Sequence, residues 1–249
     1  MGISIFAATH RGLVRDGNED SCFVGVTVIA VADGLGGHQA GEIASATAIE
    51  PVAKLDGQPF PTPEAARDAV VAAIEQGNQA VIEKAVAHDE YWGMGTTLTA
   101  AIVGDGWLQL GHVGDSRAYL LRDAILRQLT NDHTIVAEAV RQGRLSPGEA
   151  SHHPERSILT RAVGLDPNLR VEAPPAFELE PGDQVLLCSD GLTEPVDEDQ
   201  IALLLATTSD GQAACDALID TANEAGGPDN ITVILLRVDD ADRASATVR

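Results

Sequence analysis

The chain has 249 residues, enough for one large domain or two small ones with a sizeable core. It is 44% hydrophobic but only 3% aromatic, so Ala, Val, Leu and Ile must fill that core. With 38 acidic against 16 basic residues the formal charge is -22, which repels nucleic acid and anionic membrane, and no apolar run approaches the ~20 residues of a membrane span.

The first ten residues lack the basic start and apolar centre of a secretory signal. Cys22, Cys188 and Cys215 are sparse and have no metal-type spacing. The expectation is a soluble, cytoplasmic protein with reduced, buried thiols.

Taken in order, residues 4–9 predict a short strand, followed by a loop, 10–20, whose second half holds Arg15, Asp16, Glu19 and Asp20. From Ser21 the pattern turns apolar and β-branched and reads as two tightly joined strands. The second, Val28-Ile29-Ala30-Val31-Ala32, ends abruptly in Asp33-Gly34. Ala40, Ala44 and Ala48 line one face of a helix over 39–51, small enough to pack closely on a sheet. Thr62-Pro63-Glu64 starts a second helix with a capping hydroxyl and a proline in its first turn. That helix runs to about residue 87 and turns Ala66, Val70, Ala73, Ile74, Val81 and Ala85 inward.

The middle third reads as an antiparallel meander. Strands over 97–103 and 107–113 flank Gly104-Asp105-Gly106, a strong hairpin signal. Strands over 116–121 and 124–129 turn at Arg122-Asp123, and Asp115 lies in the turn Gly114-Asp115-Ser116-Arg117. Residues 131–164 are polar, helical over 134–143, broken at Pro147 and Pro154, and rich in His and Arg. They read as an excursion from the core, a lid.

Strands resume over 170–178 and 185–189. The second, Val185-Leu186-Leu187-Cys188-Ser189, runs into Asp190-Gly191 as the earlier one runs into Asp33-Gly34. Helices over 198–205 and 212–225 and a strand over 231–238 follow, then a polar tail, 239–249. No repeat, linker or composition break divides the chain. The reading is one domain over 1–238, of α+β class, with antiparallel sheets covered by helices rather than a doubly wound nucleotide fold.

Five acids stand at element boundaries beside Gly or Asn: Asp20, Asp33, Asp115, Asp190 and Asp229. Singly each is an ordinary turn residue. Strand ends gathered at one edge, however, would crowd like charges that only cations keep ionised. An all-oxygen set suits Mg²⁺ or Mn²⁺, since zinc would recruit His or Cys. Two such ions can deprotonate a water and clamp a phosphate oxygen, giving hydrolysis without a protein nucleophile. A cysteine phosphatase is excluded, because the positions six after the three cysteines hold Val28, Glu194 and Thr221 rather than arginine.

Seven stretches in order carry a resemblance: Arg15-Asp16-Gly17-Asn18-Glu19-Asp20, Asp33-Gly34-Leu35-Gly36-Gly37-His38, Gly93-Met94-Gly95-Thr96-Thr97, Gly111-His112-Val113-Gly114-Asp115-Ser116-Arg117, Leu129-Thr130-Asn131-Asp132-His133, Ser189-Asp190-Gly191-Leu192-Thr193-Glu194 and Gly227-Pro228-Asp229-Asn230. Over residues 10–238 the chain resembles the metal-dependent Ser/Thr protein phosphatases of the type 2C or PPM family, the bacterial branch above all. The resemblance implies an α-β-β-α sandwich, two antiparallel sheets flanked by helix pairs, with a metal cleft at one end and a flap near 134–162. It implies dephosphorylation of phosphoserine and phosphothreonine in proteins by a metal-activated water at a dinuclear Mn²⁺ or Mg²⁺ centre, without a phosphoenzyme. Its partners would be phosphorylated proteins, substrates of a cognate Ser/Thr kinase, met by a monomer.

Carried over by position, Asp33 bridges both ions and the Gly34 carbonyl assists one. Asp190 and Asp229 complete the first site, Glu19 serves the second partly through water, and Asp20 supports from behind. Asp115 with Asp190 matches a weaker third site, where some relatives have an aspartate in place of Glu194. Arg15 matches the phosphate-binding arginine, whose fork can hold two phosphate oxygens. Leu35 stands where some relatives have a histidine, so the leaving-group proton has no assigned donor; His38 and His133 are candidates by position.

Overall fold

Strands apolar on both faces need cover on both sides, and that requirement produces four layers here. The computed structural model describes residues 2–36, 40–150 and 153–239. In chain order the first elements are β1 (Ile3–His10), β2 (Ser21–Val24), β3 (Val28–Ala32), β4 (Gly34–Leu35), α1 (Ala40–Ala53) and α2 (Pro63–Ala87). Then come β5 (Gly95–Thr96), β6 (Leu98–Gly104), β7 (Trp107–Val113), β8 (Arg117–Arg122), β9 (Ile125–Gln128), α3 (Ile135–Arg141) and α4 (Pro147–Ala150). The last are β10 (Phe177–Glu178), β11 (Gln184–Cys188), α5 (Asp190–Thr193), α6 (Glu198–Thr207), α7 (Gly211–Glu224) and β12 (Ile231–Val238).

One sheet has the order β1-β12-β11-β8-β9, the other β10-β7-β6-β3-β2, and the pairings within both are antiparallel. Their facing surfaces bury Ile29, Val31, Leu108 and Leu110 against Leu120, Leu187, Ile234 and Leu236. The outer face of the β3 sheet is covered by α1 and α2, through Ala44, Ala48, Val70 and Ile74. The outer face of the β12 sheet is covered by α6 and α7, through Ile201, Leu205, Leu218 and Ala222. Each fully buried Val, Leu or Ile contributes about 1.5–3 kcal/mol over exposure, so a core almost without aromatics still holds.

Register brings the functional stretches to one end. His10 pairs with Ile231, Cys188 with both Val233 and Arg117, Ser21 with Ala32, and Leu98 with Val113. The chain therefore leaves or enters the sandwich at that end next to Glu19 and Asp20, Asp33, Asp115, Asp190 and Asp229. Among the described residues no helix is long and apolar enough to cross a membrane.

Several expectations need correction. The middle third is not one meander: β6 and β7 belong to one sheet, β8 and β9 to the other, and the chain crosses between them at residues 114–116. Gly114, at φ +109°, makes that crossing possible, and a Cβ there would press on Thr97. The hairpin between β8 and β9 turns at Asp123 and Ala124, both at positive φ, one residue later than expected. Residues 170–178 are not a continuous strand. Phe177 and Glu178 pair with β7 and Glu172 makes an isolated bridge to His112 of the same strand, but between them Pro174 and Pro175 cannot donate to a ladder. Cys22 is exposed on β2, while Cys188 and Cys215 are buried as expected. Two short elements were invisible in the apolar pattern: the β4–β5 pair and the single turn α5, which Asp190 opens.

Candidate functional site

Asp33 follows the fully buried β3 and is held by its backbone before its side chain does anything. The Thr97 hydroxyl accepts the Asp33 N–H at 2.9 Å, while the Thr97 N–H and the Thr96 hydroxyl donate to the Asp33 carbonyl at 2.9 and 2.8 Å. The Gly-Thr-Thr stretch is therefore a clamp on the strand end. Gly34 admits no side chain, since a Cβ would meet the Gly41 backbone and the Glu19 carbonyl.

The loop after β1 is fastened by Asn230. Its Oδ1 accepts the Glu19 N–H at 2.7 Å, and its Nδ2 donates to the Arg11 and Gly17 carbonyls, each at 2.9 Å. One buried amide thus fixes Arg15, Glu19 and Asp20 beside Asp229. Sequence reasoning assigned Asn230 no role; its place directly after Asp229 was the available signal. Ser189, also unassigned, donates to Asp20 Oδ2 at 2.8 Å and accepts the Thr232 N–H at 2.9 Å. Gly191 packs so tightly that a Cβ would collide with the Asn230 carbonyl.

The carboxyl groups face one another. Burial, then the charges of Asp190 and Asp20, hold Asp33 well above the usual carboxylate range, and Asp33 lies within hydrogen-bonding reach of both. Burial and then Asp115 push Asp190 up to about 8; burial and then Asp132 push Asp115 up to about 7. Burial lifts Asp20 to about 6 against hydrogen bonds from Thr232 and Ser189, and raises Glu19 as well. Arg15 reaches Asp229 Oδ2 at 2.6 Å from a half-exposed position.

Metal fit follows from these groups. Asp20 Oδ1 and Asp190 Oδ1 are buried without a hydrogen-bond partner among the described residues. Orphaned, crowded carboxylate oxygens suit a hard divalent cation. No three His, Cys, Asp or Glu side chains among the described residues close into a finished cage.

The remaining predicted residues separate. Asp115, in the crossing between the sheets, borders a cavity of about 490 Å³ together with Asp190 and Glu194, and α3 and α4 form its far wall. Glu194 Oε1 accepts from the Ser157 hydroxyl at 2.9 Å and lies 3.6 Å from Arg156 Nε, tying residues 134–162 to the site. His133 is wholly buried and bonded to Gly114 and Glu172, so it is no free proton donor. His38 lies outside the described residues. Leu35 pairs with Gly95 and brings no titratable group.

Residues 10–222 match the family model described as Protein phosphatase 2C. This chain belongs to the protein phosphatase 2C family. It is 43% identical over 242 residues to the serine/threonine protein phosphatase PstP of Mycobacterium tuberculosis, covering 95% of this chain and 45% of that protein. The chain therefore spans about half the length of that relative. To the serine/threonine phosphatase stp of Listeria monocytogenes it is 37% identical, over 93% of this chain and 94% of the other. The crystal structure of the PstP catalytic domain in complex with two manganese ions superposes with a TM-score of 0.86 at 39% identity, covering 96% of this chain and 99% of that one. The four-layer arrangement is thus the family fold.

Proposed function

We propose that this chain is a protein serine/threonine phosphatase acting at a dinuclear Mn²⁺ or Mg²⁺ centre without a phosphoenzyme. One observation carries the reading: Asp33, held by its backbone at the end of β3, lies within hydrogen-bonding reach of both Asp20 and Asp190, and each of these has a buried oxygen without a partner among the described residues. Asp33 would be shared by the two ions, with the Gly34 carbonyl, Asp190 and Asp229 at the first, and Glu19 at the second. Asp20 supports them through Ser189, and Asp115 with Asp190 forms a weaker third site. Bound ions supply Lewis acidity, activating a water and offsetting phosphate charge.

The chain's own residues do the rest. Arg15 leaves or shares Asp229 to hold two phosphate oxygens, a cation set among Asp229, Glu19 and Asp33 in a strongly acidic protein. Thr96, Thr97 and Asn230 keep Asp33 and the Arg15 loop in place, so the phosphate meets groups already oriented. The domain is residues 1–238 with a flap over 134–162. It works as a cytoplasmic monomer on phosphorylated proteins that a cognate Ser/Thr kinase produces; the titanic acidity of the surface is no bar, since the arginine and ions supply local positive charge.

Hydrolysis of a phosphothreonine peptide tests this. Turnover should require Mn²⁺ or Mg²⁺, stop with EDTA, and leave no phosphate on the protein by mass spectrometry. Tight peptide binding without turnover in either metal would make the chain a phosphoprotein-binding scaffold.

A further inference from the structure

His133 is buried at the root of the flap, and its hydrogen bonds run to three different segments. Its backbone N–H donates to the Gly114 carbonyl at 2.8 Å, and its ring Nδ1 accepts the Gly114 N–H at 3.1 Å. Both polar groups of Gly114 are thus taken by one residue 19 positions away. Because Nδ1 accepts, the ring proton sits on Nε2, which faces Glu172 Oε2 at 3.2 Å. Glu172 also accepts from Asn131 Nδ2 at 3.0 Å, and its backbone pairs with His112. The His112 ring packs on that of His133 with centroids 4.7 Å apart, which fixes its plane. Finally, the His133 carbonyl accepts the Thr160 N–H at 2.7 Å, next to the bridge of Thr134 with Leu159 that closes the flap.

Gly114 needs this restraint. It sits at φ +109° in the crossing between the sheets, with glycine's wide backbone freedom, and it directly precedes Asp115. We infer that His133 is a positioning residue for the weaker ion site: by holding Gly114 through its backbone and ring, it sets where Asp115 carries its carboxylate. The inference rests on the reading of Asp115 as an ion ligand. It also means that the flap root and the Asp115 turn share one residue, so neither moves alone.

The test is direct Mn²⁺ titration of the full chain, with free ion followed by electron paramagnetic resonance. Wild type should show tight binding plus a weaker step, and Asp115→Ala should lose the weaker step. If Asp115→Ala leaves it intact, the ligand reading fails first and the inference with it. His133→Leu should weaken that step about tenfold, the lower range for residues that orient metal ligands, and leave the tight step unchanged. His133→Asn, whose amide oxygen can take the place of Nδ1, should bind as wild type does. In the Asp115→Ala background His133→Leu should change nothing further, since it acts through Asp115. Wild-type binding by His133→Leu, or an equal loss at the tight step, overturns the inference. His133→Gln, which reaches Glu172 but not Gly114, gives the same comparison if the leucine variant does not fold.

Discussion

Ser189 donates its hydroxyl to Asp20 across 169 positions of sequence, at 2.8 Å, while the same oxygen takes the Thr232 N–H. One small side chain joins the loop before β2, the end of β11 and the start of β12. Ser189→Ala should therefore do two things. Leaving a buried N–H unpaired costs about 1–3 kcal/mol of stability, read as a lower urea midpoint. Asp20 also loses one of its two hydroxyl hydrogen-bond donors, leaving Thr232, so Mn²⁺ affinity should fall about tenfold, read by calorimetric titration. A variant destabilised but unchanged in Mn²⁺ binding would confine Ser189 to the fold.

Asp33→Ala should abolish turnover and weaken Mn²⁺ binding together. Loss of ion stabilisation worth several kcal/mol corresponds to about a thousandfold or more in rate at 1.36 kcal/mol per decade. The fold should survive, because Thr96 and Thr97 grip the backbone at this position rather than the carboxylate. Circular dichroism melts of the metal-free proteins give the check, and an active Asp33→Ala protein would remove Asp33 from the site.

Arg15→Ala should raise KM for a phosphopeptide about tenfold to a hundredfold, the worth of a charge-assisted hydrogen bond of about 1.5–3 kcal/mol. Mn²⁺ affinity should hold or improve, since the variant frees Asp229 from its 2.6 Å partner. Steady-state kinetics at saturating Mn²⁺ separates the two effects; an unchanged KM returns Arg15 to an ordinary loop residue.

Burial, reinforced by His133, holds His112 down at about 4, against 6.5 in an unfolded chain. The unfolded chain takes up the proton first on acidification. The stability is fully present above about 6.5 and is lost as pH falls through about 4, a total of about 3 kcal/mol. For Glu172, burial acts upward but hydrogen bonds from His133 and Asn131 bring it to about 2, so it extends the same loss from about 4.5 to 2. Urea midpoints of wild type minus those of His112→Phe should shrink between pH 6.5 and 4.5. A difference that stays flat means that His112 is not held neutral.

Much of the site was legible because its acids announce themselves: Asp33 and Asp190 each end an apolar strand, and strand ends meet at one edge of a sandwich. The helices of the outer layers were equally legible, from the Ala40, Ala44, Ala48 spacing and from Thr62 and Pro63. What escaped was decided by distance in space rather than by pattern. Period-two alternation cannot say which sheet a strand joins, so β6 to β9 read as one meander although Gly114 sends the chain across. Asn230, Ser189 and Thr97 act through hydrogen bonds that reach segments 64 to 219 positions away, and no local rule marks them. Cys22 looked like core because it is apolar, but β2 is an edge strand with one face open.

The pairing of β1 with β12 also has a meaning in time. Ile3 to His10 finds its partner only when residues 231–238 exist, and contacts of such separation close slowly. During synthesis the first strand waits for the last, and Asp229 and Asn230 arrive in that same late segment. The loop of Arg15 and Glu19 has until then the hydrogen bonds of Ser45 to the Glu19 carbonyl and of Asn18 to Thr9, but not those of Asn230. Ion binding should therefore strengthen once Asp229 and Asn230 have joined the Arg15 loop. A chain ending at residue 226 should bind Mn²⁺ far more weakly than the whole one.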